Sequence, residues 1–570
     1  MTSVDLVLHN AQICNVFQGC DFRGWVGICG DRFAYAEEGE PPADLTAATV
    51  RDLGGRWILP GLIDAHMHIE SSLMTPAGFA RAAVPHGTTS VLADPHEVAN
   101  VAGEAGVRWM IRASQGLPLR VFCAIPSCVP ATGPDLEWTA HVFNAVVVER
   151  LAREPGVIAL GEVMDYRAVL AGDERLRGMV EAAQAAGLLV EGHIPSLRGT
   201  ELSRYLAWGI TSDHTLTTPD KIREQIAKGL AVMIQAKSCT AENMAAIAAL
   251  PDRSRILLVT DDTEPALLGA GHLSRIVRQA CEAGMPPHEA VAAATIRAAR
   301  YLGLRDLGGI APGFLADFLV TEDLAAFPPA EVYVGGRHVA RSGALCAATP
   351  AVPPPPSGEA IPGPFAPDDF RLGGPDLDGI VTANAVVVAG TTTSLTDLAQ
   401  VPVKVERGYA RLADGDGLSL STVVARNGSS RSVGVVMGLG LREGAYASSF
   451  AHDSHNLLVV GREVAEMAAA ANVVHRMGGG VAVVSEGETR AALPLPILGL
   501  LSDAPLDRIV EDSEAVDQAL RALGVRHQRP FLLLSLLALS VSPRFKLSDK
   551  GVVDTEHRHL LPTWERKPGA

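Results

Sequence analysis

Two histidines two residues apart, His66 and His68, are the first side chains of the sequence whose spacing could bind a metal ion. They end the segment LPGLIDAHMHIE, a turn-bounded apolar run from Leu59 to Glu70. Residues i and i+2 of a strand point to the same face, so both imidazoles can reach one ion if the strand ends at a site. Alone, such a pair is more often a partly exposed strand end, and further ligands are needed to decide between the two.

Four more residues of ligand type each follow a short apolar run, in the order in which a barrel would supply them. They are Glu162 after GVIALG, His193 after GLLVEG, His214 after WGITSD and Asp261 after RILLVT. Six nitrogen and oxygen ligands without sulfur suit two divalent ions that share a bridging carboxylate and a bridging water. Such a water ionises near neutral pH, because metal binding lowers its pKa to about 7. The predicted chemistry is attack of hydroxide on an sp² carbon.

The elements that must position these ligands are predicted by the change of pattern along the chain. Residues 3–58 and 306–345 are rich in short alternating strands. Between these two segments, short apolar strands alternate with Ala-rich helices, which is typical of parallel βα units. About 250 residues of this kind make one (β/α)8 barrel, with its active site at the carboxyl ends of the strands. The segment from Pro350 to Pro367 has 8 prolines among 18 residues and predicts a stiff linker. The predicted fold class is α/β, with a TIM-like metal-dependent hydrolase barrel at 59–305. The other predicted divisions are a small β-sandwich domain from 1–58 and 306–345, the linker at 346–369 and an additional α+β domain at 370–570.

Composition excludes several classes of function. The chain has 48 Lys and Arg against 64 Asp and Glu, and the net charge of −16 argues against a nucleic-acid groove and for a small or neutral partner. The longest apolar run, Phe531 to Val541, is too short to span a bilayer and predicts a buried helix. The 8 cysteines form no C-x-x-C pair, and the N-terminus lacks a signal-peptide pattern. We therefore expect a cytoplasmic protein without membrane contact.

The ligand order, together with GGIAPGFLAD from Gly308 to Asp317, resembles the amidohydrolase superfamily. A narrower resemblance, to the bacterial adenine deaminase family, extends over nearly the whole chain, including its C-terminal part. It is carried by HMHIESSLMTPAGFARAAVPHGTTSVLADPHEVANVAG from His66 to Gly103, GEVMD at 161–165, SDH at 212–214 and AHDSHN at 451–456.

The resemblance implies a hydrolase of purine salvage that converts adenine to hypoxanthine and ammonia, by attack of a metal-bridged hydroxide on C6. The implied cofactors are two divalent ions, manganese or iron, with zinc as a further option, and the implied assembly is a homodimer or larger. Carried over by position, His66, His68 and Asp261 hold the more buried ion, and Asp261 passes a proton to the leaving amine. Glu162 bridges the ions or moves a proton, and His193 and His214 hold the second ion.

Further candidates surround the predicted mouth. Attack at C6 places charge on N1, and candidates for its proton donor are Glu162, Glu70 and the pair His96 and Glu97, which follows the strand VLAD. Glu70 and Glu97 are predicted to bind substrate and His96 to act in catalysis. In the alternative interpretation, Glu70 caps the next turn and His96 is an ordinary loop histidine. Asp213 and Asp262 stand beside ligands and are interpreted as supporting or outward-facing residues.

A second group of ligand-type residues lies far along the chain, at His452, Asp453, His455 and Asn456. It could reach over the barrel mouth, bind an extra ion, or hold a loop by ordinary hydrogen bonds. Departures from the family pattern near Thr263, Lys237 and Arg297 leave a related aminopurine as an alternative substrate. A cyclic amidase of the same superfamily and a catalytically inactive scaffold are also compatible with a barrel, although a scaffold has no physical reason to keep six ligands.

Overall fold

The computed structural model describes residues 3–374 and 376–565. The predicted domain ranges that reach residues 1–2 and 566–570 extend outside these described residues. Two compact units are present. The first consists of the chain up to Pro95 with Met110–Pro126 and Asn144–Pro353, and the second of His96–Trp109, Ser127–Phe143 and the chain from Pro354 onward.

The first unit begins with short strands and continues with the strands and helices of a barrel. The N-terminal strands are β1 (Ser3–Asn15), β2 (Cys20–Cys29), β3 (Arg32–Glu38), β4 (Thr46–Asp52) and β5 (Trp57–Pro60). The barrel strands are β6 (Leu62–His68), β7 (Thr88–Ala93), β8 (Arg120–Ile125), β9 (Val157–Val163), β10 (Leu189–Gly192), β11 (Ser212–Asp213), β12 (Ala231–Ile234), β13 (Ile256–Leu258) and β14 (Asp261–Asp262).

Helices alternate with the barrel strands along the sequence. They are α1 (Pro76–Ala83), α2 (His96–Ala113), α3 (Ala145–Leu151), α4 (Tyr166–Ala171), α5 (Glu174–Ala185), α6 (Gly199–Leu206), α7 (Pro219–Ala227), α8 (Ala241–Ala248), α9 (Pro265–Gly269), α10 (Leu273–Glu282), α11 (Pro287–Ala293) and α12 (Ile296–Tyr301). Short 3-10 helices occupy Ile69–Ser72, Val84–His86 and Ala236–Ser238.

Two parallel sheets make the barrel wall, in the orders β10-β9-β8-β7-β6-β14 and β11-β12-β13. A hydrogen bond from the Thr211 amide to the Val190 carbonyl, 2.9 Å long, connects the two sheets. At the other end β14 follows β13 by two residues and pairs with β6, placing Asp261 opposite Met67. The ring is therefore continuous, and the TIM-like barrel predicted from the sequence is confirmed.

The interior of the barrel is filled by every second residue of its strands, as the pleat requires. Ile63 and Ala65 from β6 lie in one cluster with Ala231 and Met233 from β12. Both faces of such strands are covered, which explains why they appear as continuous apolar runs in the sequence. Polar ligands can be tolerated only where these strands end, because the interior below offers them no partners.

A nine-stranded sheet in the same unit is built from both sides of the barrel segment. Its later strands are β15 (Phe318–Thr321), β16 (Glu331–Val334), β17 (Arg337–Arg341) and β18 (Ala344–Leu345). The order is β18-β17-β16-β15-β5-β1-β2-β3, with β4 also paired to β1. Arg51 of β4 binds Glu331 of β16 through two hydrogen bonds of 2.8 and 2.7 Å. This bidentate pair links early and late strands of the sheet.

The described part of the second unit after Pro354 contains a nine-stranded mixed sheet, a three-stranded sheet and three α-helices. Its strands are β19 (Gly379–Val388), β20 (Thr396–Glu406), β21 (Tyr409–Arg411), β22 (Leu418–Val424), β23 (Arg431–Met437), β24 (Ala445–Ser448), β25 (Leu457–Gly461), β26 (Gly480–Ser485), β27 (Glu488–Pro494), β28 (Phe545–Ser548), β29 (Gly551–Asp554) and β30 (His559–Leu561). Its helices are α13 (Val464–Arg476), α14 (Leu506–Ala522) and α15 (Pro530–Ser535), with a 3-10 helix at Pro367–Phe370. The sheet order is β21-β20-β19-β23-β22-β25-β24-β26-β27.

The proline-rich segment has no helix or strand between Leu345 and Pro367. Its later part packs against α13, where Asn472 accepts a hydrogen bond from the Phe365 amide and donates one to the Phe365 carbonyl. The predicted apolar helix at 531–541 is confined to α15, which ends at Ser535. Among the described residues, no helix combines the length and apolar character needed to cross a membrane.

Candidate metal centre

The strand ends of the barrel bring the six predicted ligands together. His66 and His68 end β6, Glu162 lies in β9, His193 and His214 directly follow β10 and β11, and Asp261 begins β14. All belong to the first unit, and four of them are almost completely buried. The geometry thus matches the rule that a barrel presents its chemistry at the carboxyl ends of its strands.

Glu162 lies between two groups of histidines. Its Oε1 is 3.4 Å from His68 Nε2, and its Oε2 is 2.6 Å from His193 Nδ1 and 3.2 Å from His214 Nε2. The His66 and His214 rings stack with centroids 3.9 Å apart. Each oxygen of this one carboxylate therefore faces a different part of the ligand set, which is the geometry of a bridging ligand.

Asp261 completes the group on the β6 side. Its Oδ1 is 3.4 Å from His68 Nε2 and 3.9 Å from His66 Nε2. The residue has φ of 60°, in the left-handed region, where aspartate is tolerated better than most side chains. Gln235 donates from its amide to Asp261 Oδ2 and to the His214 carbonyl, which fixes the carboxylate between the rings.

The donor set fits a divalent metal centre. Donor atoms of His66, His68 and Asp261 lie within 4.8 Å of one another, as do those of His66, Glu162 and His214. His66 Nε2 is buried and has no hydrogen-bond partner in the described part of the chain, which is costly for a polar atom unless a cation takes its lone pair. Nitrogen and oxygen donors without sulfur suit zinc, iron and manganese alike.

Neighbouring groups orient the two β6 histidines. His66 Nδ1 is 2.9 Å from Oε2 of Glu191, and His68 Nδ1 is 3.0 Å from the Asp94 carbonyl. Each ring thereby donates Nδ1–H to an oxygen and directs Nε2 towards the other ligands, as metal-binding histidines do. Sequence reasoning missed Glu191. A signal was present, because a carboxylate two residues before His193 shares its strand face and interrupts an apolar strand.

Asp213 supports the loops that carry the next two ligands. Its Oδ1 accepts hydrogen bonds from the amides of Ile194 and Thr215, the residues that follow His193 and His214. Its Oδ2 is 2.8 Å from Lys221 Nζ. Burial opposes ionisation of Asp213, but Lys221 and His214 hold its pKa below the usual value.

The ligand carboxylates are held in the ionised form. Burial opposes ionisation of Glu162, but the His214 and His193 rings lower its pKa well below the usual value. Burial also opposes ionisation of Asp261, and there His214, His68 and His66 keep the pKa below its usual range. Both groups therefore present negative charge to the histidines, as ligands of a cation must.

Two other candidates lie on the same side of the barrel. Glu70 is completely buried within the 3-10 helix Ile69–Ser72, and the start of that helix carries no side-chain capping hydrogen bond. Ser71 donates its hydroxyl to Asp262 Oδ1, so Asp262 is engaged by a neighbouring side chain. Glu70 stays a candidate for substrate contact.

The remaining candidates lie inside the second unit. His96 and Glu97 begin α2, and His452, Asp453 and His455 lie in the loop between β24 and β25. Glu97 Oε1 is 2.6 Å from His452 Nδ1 and 3.3 Å from His96 Nε2, and Glu97 Oε2 contacts His455 Nε2. These five residues are buried, and we call His96, Glu97, His452 and Asp453 the second-unit cluster.

Burial and neighbouring side chains shift the pKa values of Glu97, Asp453 and His455. Burial opposes ionisation of Glu97, but His452, His455 and His96 hold its pKa well below the usual value. Burial raises the pKa of Asp453 to about 7 and lowers that of His455 to about 4.

The barrel and its donor set define a class, the metal-dependent hydrolases of the amidohydrolase family, whose profile matches residues 57–339. Residues 393–559 match the adenine deaminase C-terminal domain. The chain is 38% identical to adenine deaminase of Desulfatibacillum aliphaticivorans, over 98% of this chain and 97% of that protein. It is 40% identical to adenine deaminase of Nitratidesulfovibrio vulgaris, over 97% and 95%.

The chain belongs to the adenine deaminase family. Among solved structures, it is similar to dihydropyrimidinase from Brevibacillus agri, with a TM-score of 0.45 and 15% identity over 60% of this chain and 96% of that one.

Proposed function

We propose that this protein hydrolyses adenine to hypoxanthine and ammonia at a centre of two divalent ions. The observation that carries the proposal is Glu162, whose two oxygens face His68 on one side and His193 and His214 on the other. One carboxylate so placed can join two ions. The names of the full-length relatives support adenine as the substrate.

In the proposed arrangement, His66, His68 and Asp261 hold the first ion, His193 and His214 hold the second, and Glu162 bridges them. Manganese or iron is our first choice and zinc the alternative, because the donors are nitrogen and oxygen. When bound, the ions would lower the pKa of a shared water to about 7 and so supply a nucleophile at neutral pH.

Proton transfer falls to the carboxylates. Asp261 is ionised and is held by Gln235, so it can accept the proton of the attacking water and pass it to the leaving amine. Attack at C6 places charge on N1, where a proton donor contributes a factor of roughly 10²–10⁴. Glu162 is ionised, so it can donate only a proton that it has first taken from the attacking water; Glu70 is the other candidate for this donor. Both oxygens of Glu97 already face histidines, and we propose another role for Glu97 and His96 below.

The cellular role we propose is purine salvage of free bases in the cytoplasm. All 8 cysteines are free thiols, in keeping with a reducing compartment. The net charge of −16 favours a small neutral substrate over a polynucleotide. A homodimer or larger assembly stays a prediction from the resemblance.

The test is a purine panel assayed for ammonia, with metal-free protein reconstituted separately with manganese, iron and zinc. We expect ammonia release from adenine with a matching change in purine absorbance. The decisive pair of variants is Asp261→Asn and Asp262→Asn. These neighbours differ in that Asp261 faces the histidines, whereas Asp262 is exposed and bonded to Ser71. We expect Asp261→Asn to abolish turnover and Asp262→Asn to retain it.

Four outcomes would contradict the proposal or one of its parts. No turnover of adenine with any of the three metals, despite two ions bound per chain, would exclude adenine deamination. Ring opening of a cyclic amide without ammonia release would identify a cyclic amidase, and faster turnover of another aminopurine would move the specificity to that base. Near-normal activity of Asp261→Asn would remove the proton-transfer role of that residue.

A further inference from the structure

The second-unit cluster contains a complete set of metal-ligand types. One donor atom from each of His96, Glu97, His452 and Asp453 lies within 4.8 Å of the others. Their residues are 4%, 0%, 6% and 2% exposed, so the group is shielded from water. Two imidazoles and two carboxylates converge here within one unit of the chain.

Among the described residues, no donor hydrogen-bonds to one buried carboxylate oxygen of Asp453. Its Oδ2 is buried and has no hydrogen-bond partner among the described residues, and its Oδ1 is 3.8 Å from His452 Nδ1, beyond hydrogen-bond length. A buried carboxylate oxygen without a donor is costly, because it has no partner for its lone pairs. A cation among the four donor atoms would supply the missing partner.

Hydrogen bonding of the loop does not account for these side chains. The loop is already held by Arg426, whose amide donates to the Asn456 side chain and whose guanidinium donates to the His455 carbonyl. Asn456 also donates to the Trp138 carbonyl. The side chains of His452 and Asp453 are not the partners in these bonds, and His452 Nδ1 lies 2.6 Å from Glu97 Oε1 instead.

We propose that the second-unit cluster binds one divalent cation, with zinc as the best-fitting ion, in addition to the ions of the barrel. Four protein ligands complete a tetrahedral shell, which is the coordination number of a closed zinc site, and histidine nitrogen and carboxylate oxygen are both zinc ligands. His455 contacts the remaining oxygen of Glu97 and would orient that ligand. The ion would tie the start of α2 to the loop between β24 and β25.

The test counts metal ions in the full-length protein. Metal-free protein is titrated with zinc, dialysed and analysed by inductively coupled plasma mass spectrometry, and cobalt is substituted for a separate absorption spectrum. Wild-type protein should hold three ions per chain, one of them with the intense visible absorption of tetrahedral cobalt. Asp453→Asn and His452→Gln should each hold two, with affinity for the third ion weakened on the order of 100-fold or more.

The matched control is His527→Gln, which changes another buried histidine of the same unit that bonds with the main chain of Arg529. This variant should still hold three ions. A wild-type ion count that both Asp453→Asn and His452→Gln retain in full would overturn the proposal, whatever the folding of the variants. Because the readout is a metal count, failure of the metal-site proposal does not bear on adenine deamination. Absence of deamination likewise does not bear on this metal site.

Discussion

The contact between Glu191 and His66 allows one prediction to be worked out in detail. The two side chains are almost completely buried, with Glu191 Oε2 2.9 Å from His66 Nδ1. In Glu191→Gln the amide oxygen can still accept from Nδ1–H, and the amide group can still face Tyr301, whose hydroxyl is 3.3 Å from Oε1. The substitution therefore removes the negative charge and keeps the shape.

Two estimates of the effect agree. A hydrogen bond to a charged group contributes about 1.5–3 kcal/mol, and most of the excess over a neutral bond is lost here. Groups that orient a metal ligand typically cost 10–100-fold in metal affinity or activity, or about 1.4–2.7 kcal/mol. We expect Glu191→Gln to weaken manganese binding by roughly 10–100-fold.

The assay is competition for manganese with a chelating dye, followed by turnover of adenine at saturating metal. Tyr301→Phe is the control, because it removes one long hydrogen bond, donated by a neutral hydroxyl to Glu191, and leaves the charge. We expect it to change affinity by about two- to fivefold. If Glu191→Gln bound manganese within about twofold of wild type, the carboxylate would not tune His66, and our account of ring orientation would be wrong.

Three further predictions concern other parts of the first unit. Asp213→Asn should lower the free energy of unfolding by about 3 kcal/mol in chemical denaturation, because Lys221 is left as a buried charge, and adding Lys221→Met should restore part of the loss. Gly161→Ala should reduce metal content, because a Cβ at this position would lie 1.9 Å from Asp94 Oδ2. That oxygen accepts a hydrogen bond from the Glu162 amide, so the clash would shift Glu162. Unchanged metal content would contradict this prediction. A hydrogen bond from Arg51 lowers the pKa of Glu331 to about 2, so the contribution of Glu331 to the free energy of unfolding is complete above about pH 5 and is lost as pH falls towards 2. Glu331→Gln should therefore flatten the dependence of the unfolding free energy on pH in that window. An unchanged slope would exclude this contribution.

The barrel and the convergence of the six candidate ligands were open to prediction because both are encoded locally. His66 and His68 share a strand face by spacing alone, and each later ligand directly follows a short apolar run. Once the runs are recognised as consecutive barrel strands, their ends must meet at one rim. The order of the strands along the chain then predicts which side chains meet.

The partners of those ligands could not be predicted in the same way. Glu191 and His66 are 125 residues apart, and the sequence contains no mark that links them. The pairing of Glu97 with the loop at 452–455 crosses an even longer separation, 358 residues to His455. Contacts of this kind depend on how α2 and the loop between β24 and β25 pack within the second unit, which periodicity does not describe.

The position of β5 has a consequence for how the protein is made on the ribosome. This strand lies between β1 and β15, and Pro60 pairs with Phe318, 258 residues later. At synthesis rates of about 5–20 residues per second, one edge of β5 waits between about 13 and 50 s for its neighbour. Throughout that interval an apolar strand edge is open to mispairing, so nascent chains stalled before residue 318 should be clients of holding chaperones.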